Sequence, residues 1–242
     1  MGRLIWCLSL LLLFMAAGSA GANETITLGA ENDWVPYSNK DGTGMANEIV
    51  LAAYKAVGVD VTFKVAPYNR LLKMVRDGEI LGAFNVPKEL SCEKEYLFGK
   101  VPIFVARSAY YQNVSHPLSA TSKEGLKNGE KIGVVFDYGY GNFFSGNDKI
   151  VKIEVRSDLL NLRKLAKRRI DATILYDKTA RKLIKENGLS DKIVKVFDSE
   201  TGEIYVAFSK RFPNAKQYAD KLDQGLTAIE KTGGMKRIMD AY

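Results

Sequence analysis

Apolar and polar positions along the chain follow two rhythms, one of period two and one of helical period, and the rhythm switches repeatedly. Residues 25–30 read as a short β-type run that ends in the loop Glu31-Asn32-Asp33-Trp34-Val35-Pro36-Tyr37. Over residues 45–57 apolar side chains recur at helical spacing (Ile49, Val50, Ala53, Val57), and Gly58 provides a stop. Residues 59–65 predict a second strand, 68–76 a short helix closed by Asp77-Gly78, and 80–86 a third strand broken by Pro87. This order predicts a parallel sheet with right-handed crossovers.

A long β-type stretch at residues 101–112 and a polar linker lead into a second, similar unit. Residues 131–136 predict a strand that enters the turn Asp137-Tyr138-Gly139-Tyr140-Gly141. Strands are expected at 150–155, 171–176, 193–197 and 203–209, with helices at 158–168 and 179–186. The last thirty or so residues are helical in pattern, with Pro213 near their start and a break at Gly233-Gly234. The expected fold class is α/β, built as two lobes joined by extended segments.

The chain start carries an address. Arg3, an apolar run at residues 4–16 and the small residues Ala20 and Ala22 make a secretory leader at residues 1–22, too short for a comfortable membrane span. The expected mature protein is therefore exported, periplasmic and soluble. The full chain's formal net charge of +7 falls by one when Arg3 leaves. The basic residues do not form one block, and those at 164–169 sit beside Leu159, Leu160, Leu162 and Leu165 as a solvated helix face, so no nucleic-acid partner is expected. With 46% apolar and 26% charged residues, a disordered or fibrous chain is excluded.

Several chemistries drop out with the residue counts. Cys7 lies in the leader, which leaves Cys92 without a disulfide partner. The only histidine, His116, lies in the polar segment 113–117 and reads as an exposed loop residue. A Cys/His zinc site and a His-dependent hydrolase are thereby disfavoured.

The chain resembles the extracytoplasmic solute-binding proteins of family 3, the type II periplasmic binding proteins of amino-acid ABC importers, over essentially all of its mature length. The resemblance is carried by Trp34-Val35-Pro36-Tyr37, by residues 42–49, by Phe98-Gly99-Lys100-Val101-Pro102, by Lys131-Ile132-Gly133-Val134, by Arg169-Ile170-Asp171-Ala172, and by residues 205–210 followed by a helix and Gly233-Gly234. It implies a first lobe from residues 23–104 plus 205–242 and a second from 105–204. Each lobe would be a mainly parallel five-stranded sheet flanked by helices, with ligand in the cleft between them.

A free amino acid needs donors for its carboxylate, an acceptor for its ammonium and a surface for its side chain. The resemblance implies that Trp34 and Tyr68 are aromatic walls of such a site and that Glu31 contacts a cationic ligand group; Asn85 is a further candidate ligand-binding residue. It also places Tyr138 and Gly139 in an anion-facing turn. The acid for the ligand ammonium aligns with Tyr176 or Asp177, and Asp177 is the candidate taken forward. One departure stands out. The family's carboxylate-binding Arg has no counterpart in residues 87–100, and Arg70 is the nearest substitute.

The expected function is capture of a small polar solute and its delivery to an inner-membrane ABC permease, without a cofactor or a metal, as a monomer and not as an enzyme. Two rivals accompany it. One is a periplasmic sensor or orphan binder. The other is an enzyme akin to cyclohexadienyl dehydratase, for which Glu31, Glu89 and Asp177 are the available acids.

Overall fold

The computed structural model describes residues 24–88, 90–136 and 138–242. The expected leader, Glu89 and Asp137 lie outside the described residues. β1 (Glu24–Glu31) starts half-exposed and is wholly buried from Leu28 to Glu31. α1 (Met45–Lys55), β2 (Val59–Ala66), α2 (Tyr68–Asp77) and β3 (Gly82–Pro87) follow. β1 pairs in parallel with both β2 and β3, as the strand-helix alternation predicts. Then come α3 (Leu90–Glu95), β4 (Tyr96–Phe98) and the long β5 (Phe104–Asn113).

The second unit repeats the theme. It comprises β6 (Lys131–Val135), α4 (Gly141–Ser145), β7 (Val151–Val155), α5 (Asp158–Ala166), β8 (Ala172–Tyr176) and α6 (Asp177–Glu186). β6 is parallel to β7 and β8. β9 (Ile193–Ser209), α7 (Ala215–Lys231) and α8 (Gly234–Asp240) complete the chain. The sheet order is β2-β1-β3-β9-β5-β8-β6-β7, with β4 also on β9.

The two expected sheets are joined by hydrogen bonds into one, because β5 and β9 run antiparallel through both halves. Where the pattern predicts two strands, β9 is a single strand of 17 residues. The polar run Asp198-Ser199-Glu200-Thr201-Gly202 reads as a turn, yet the strand absorbs it through register shifts against β5. Helix α3 and strand β4 carry no pattern that predicts them. Leu90–Glu95 has no apolar periodicity long enough to signal a helix.

The larger core lies under the first half, where Leu28, Met45, Ile49, Tyr54, Phe84 and Leu226 are buried together. α7 crosses α1 at Gly225, whose missing Cβ would stand 2.0 Å from the carbonyl oxygen of Ala53. Only glycine permits that approach. Smaller clusters around Ile132 and Ile174, and around Leu162, Leu165 and Leu175, sit on the two faces of the second half. No helix among the described residues is long and apolar enough to cross a membrane.

Candidate functional site

Parallel strands within each half send their carboxyl ends to one edge, and the two edges face each other. A cavity lies between them, lined by Glu31, Trp34, Tyr68, Asn85, Pro87, Tyr138, Gly139 and Tyr176. Glu31 ends β1, Trp34 lies in the loop after it, Tyr68 follows β2, and Asn85 and Pro87 end β3. Tyr138 and Gly139 follow β6, and Tyr176 ends β8. This is the edge at which open α/β sheets bind their ligands. The room open to the centre of a water molecule is about 20 Å³. That is room for about one water molecule.

Glu31 closes the cavity on one side. It is buried and accepts a hydrogen bond from the Tyr138 hydroxyl, across the two halves. Burial pushes its carboxyl up to about 8, and the negative charges of Asp158 and Asp33 add to the rise, while hydrogen bonds from Tyr138 and Asn85 oppose it. Asp158, the first residue of α5, is also buried and is pushed up to about 7 by desolvation, with Asp33 adding to it. The phenols of Tyr68, Tyr138 and Tyr140 are raised well above their ordinary range, first by burial and then by nearby carboxylates, Glu31 among them.

Asn85 reaches the cavity through a local irregularity. The pairing of β3 with β9 shifts between Ala83 and Val86, and Asn85 takes a left-handed φ of 71°. Asparagine tolerates that region better than most side chains. Its Nδ2 donates to Ser38 Oγ (3.1 Å), Ser38 Oγ donates to Asn47 Oδ1 (2.6 Å), and Asn47 Nδ2 donates to the Gly42 carbonyl (2.7 Å). This chain of bonds fixes the amide orientation and leaves Asn85 Oδ1 buried without a partner. Trp34 Nε1 is likewise buried and unpartnered.

The aromatic residues form a continuous wall. Trp34 stacks on Tyr37 with ring centroids 4.3 Å apart, and Tyr37 stacks on Phe104 at 5.1 Å. Tyr176 meets Trp34 edge-on at 4.8 Å, and Tyr68 meets Tyr138 edge-on at 5.6 Å. Trp34 thus serves the core and lines the cavity at once. Tyr138 stands in a turn that Tyr140 ties down, its hydroxyl accepting from the Val135 amide at 2.8 Å.

Of the residues singled out in the sequence, Glu31, Trp34, Tyr68, Asn85, Tyr138 and Gly139 line this one cavity. Arg70 and Asp177 do not. Arg70 is exposed on α2, two residues beyond Tyr68 and so about 200° around the helix from it. Asp177 opens α6 one residue beyond Tyr176, where it accepts from Tyr111 (3.4 Å) and pairs with Lys195 (3.6 Å). Tyr176, the alternative at that alignment, is the residue that reaches the cavity. Cys92 lines a separate surface pocket with Lys73 and Arg76. No sequence signal marks Asp158, an ordinary helix-start acid by pattern, or the Ser38–Asn47 chain.

Two larger openings adjoin the cavity. One shares Glu31, Tyr68 and Tyr138 with it and holds Asp33, Lys40 and Arg156 at its rim. The other shares Pro87, Gly139 and Tyr176, and holds Lys88, Glu200 and Glu203. Among the described residues, no group of three or more His, Cys, Asp or Glu stands close enough to hold a metal ion.

No protein-family model and no curated protein matches the sequence. Solved structures do. An ancestral arginine-binding protein bound to arginine superposes with a TM-score of 0.77 at 21% identity, over 91% of this chain and 99% of that one. A histidine kinase sensor domain with similarity to periplasmic binding proteins gives 0.79 at 18% identity, over 91% and 96%. The amino acid ABC transporter substrate-binding protein AbpA from Streptococcus pneumoniae, bound to L-arginine, gives 0.74 at 16% identity, over 90% and 93%. The chain has the two-lobed α/β fold of the periplasmic binding proteins. Within that class, its fold is the one that these amino-acid-binding proteins share.

Proposed function

We propose that this protein is a divergent member of the family 3 solute-binding proteins, which captures a small polar solute between its two halves. The observation that carries this reading is the cavity itself. It lies at the carboxyl edges of strands from both halves, and it presents the buried Glu31 and the unpartnered Asn85 Oδ1 side by side with aromatic rings. Lobes at residues 23–104 plus 205–242 and at 105–204 fit this arrangement, with β5 and β9 as the connection. Export to the periplasm and delivery to an inner-membrane ABC permease complete the proposal. The similarity to AbpA supports them.

A second reading is presentation of the ligand to a membrane receptor. The likeness to a histidine kinase sensor domain favours it. Both readings predict binding, and binding has a built-in reporter. Trp6 belongs to the expected leader, so Trp34 is the only tryptophan from residue 23 onward. Titration of the purified protein with amino acids and small amines should change Trp34 emission saturably and raise the melting temperature. No change with any solute would refute the binding reading.

A further inference from the structure

We propose that the cleft selects a small organic cation that carries no carboxylate, an amine or guanidine rather than an amino acid, with Glu31 as its counter-ion and Asn85 Oδ1 as a second acceptor. This deepens the solute-binding reading and rests on it. Three observations lead here.

The first is the sign of the charge. The residues lining the cavity include one carboxyl and no lysine, arginine or histidine. The charges that act on Glu31 are Asp158, from α5, and Asp33, from the loop after β1, both of its own sign. The other titratable groups facing it are the phenols of Tyr68, Tyr138 and Tyr140. A cation placed among these groups favours their ionised forms and is attracted by them, whereas an anion opposes ionisation and is repelled.

The second observation is the acceptor. Asn85 Oδ1 is buried, fixed in orientation through Ser38 and Asn47, and without a donor. An ammonium or guanidinium N–H satisfies it, whereas a carboxylate oxygen cannot. The unpartnered donor Trp34 Nε1 needs only a neutral acceptor such as a hydroxyl.

The third is the wall. Trp34, Tyr68, Tyr138 and Tyr176 surround the space with ring surfaces of the kind that hold cations through their π-faces. In this structure the Tyr138 hydroxyl makes the hydrogen bond to Glu31 that a ligand N–H would make. Entry of the ligand exchanges one donor for another.

The test compares matched pairs that differ by a carboxylate: cadaverine against lysine and agmatine against arginine, by calorimetry and Trp34 fluorescence at pH 8. Each amine should bind at least about tenfold more tightly than its parent amino acid. Glu31→Gln should weaken the amine by about tenfold or more, while its melting curve stays cooperative. Amine binding at pH 7 should release a proton from Glu31, seen as a buffer-dependent heat that Glu31→Gln abolishes. A parent amino acid that binds as well as its amine overturns this inference and leaves the solute-binding reading standing. It would point to Lys88, Lys40 or Arg156 in the adjoining openings as a carboxylate partner. Absence of binding by both amines and amino acids overturns the inference and counts against the reading itself.

Discussion

In the first half of the molecule, Asn85 is held by a relay of side-chain bonds through Ser38 and Asn47, and Glu31 ends a strand that is buried along its last four residues. In the second half, Tyr138 and Gly139 stand in a segment without regular structure that precedes Gly141, a glycine with φ +81°. One side of the cleft is thus set before any guest arrives, and the other comes from a turn. The difference recurs in the packing, since α1, α7 and α8 support the first half from one large core. Preorganised acceptors lower the cost of ordering on binding, and the Tyr138 hydroxyl joins the two sides through Glu31.

The largest effect that tests this contrast concerns pH. Both Glu31, in the first half, and Asp158, in the second, have folded-state pKa values above the ordinary 4.5 and 3.8. A raised carboxyl contributes stability below its unfolded pKa and loses it as pH climbs through the folded value. Glu31→Gln should therefore match wild type near pH 4.5 and become more stable than it up to about pH 8, by a few kcal/mol at order of magnitude. Asp158→Asn should gain over a lower window, from about pH 4 to about 7. Urea melts at stepped pH would check both. Coincident windows, or variants less stable than wild type at pH 8, would contradict the two burial assignments. Saturating amine should erase the Glu31→Gln advantage and leave that of Asp158→Asn intact.

Next in size is a change confined to the first half. Gly225→Ala places a methyl group against the Ala53 carbonyl and forces α7 off α1, at a cost of about 3 kcal/mol. Affinity per folded molecule should change little, since the Asn85 relay lies on β3 and α1's opposite end. Thermal denaturation and a ligand titration would separate the two effects. A fully stable variant would mean that α7 and α1 pack less closely than the structure has them.

A smaller effect is expected across the cleft. Tyr138→Phe keeps the ring against Tyr68 and removes the bond to Glu31, with a loss of about 1 kcal/mol. Small-angle scattering should then show a more open molecule than wild type. An unchanged profile would show that this hydroxyl does not hold the halves together. Smallest of all is the effect of reductant. Cys92 is the only cysteine among the described residues, and melting curves with and without dithiothreitol should superpose.

Much of this architecture was legible because period and punctuation agree. Residues 59–65 alternate, Gly58 and Gly78 stop their helices, and the parallel units follow from the order of elements. The site was legible only where it tracks strand ends: Glu31, Trp34 and Tyr138 fall in loops or turns rather than on periodic apolar faces. Tyr176 lines the cavity and Asp177 does not, for a physical reason. At a strand-to-helix junction a shift of one residue changes the side on which a chain atom emerges, and the pattern around Tyr176 does not say where the junction falls. The free acceptor on Asn85 depends on a register shift and on two residues some forty positions away, so no local pattern announces it.

The paired strands β5 and β9 carry one more implication. Opposite Ser108, β9 holds an extra residue, and the Ser108 hydroxyl clips the bulge by donating to the Glu200 carbonyl (3.1 Å) and accepting from its amide (3.2 Å). Lys123 secures the same loop of backbone through the Ser199 carbonyl (2.9 Å). Bulges set the local bend and twist of a strand. Because one ribbon serves both halves, a substitution at Ser108 or Lys123 should change the angle between the cavity's two sides without altering any residue that lines it. The width of the cleft is in this way separable from the side chains that line it.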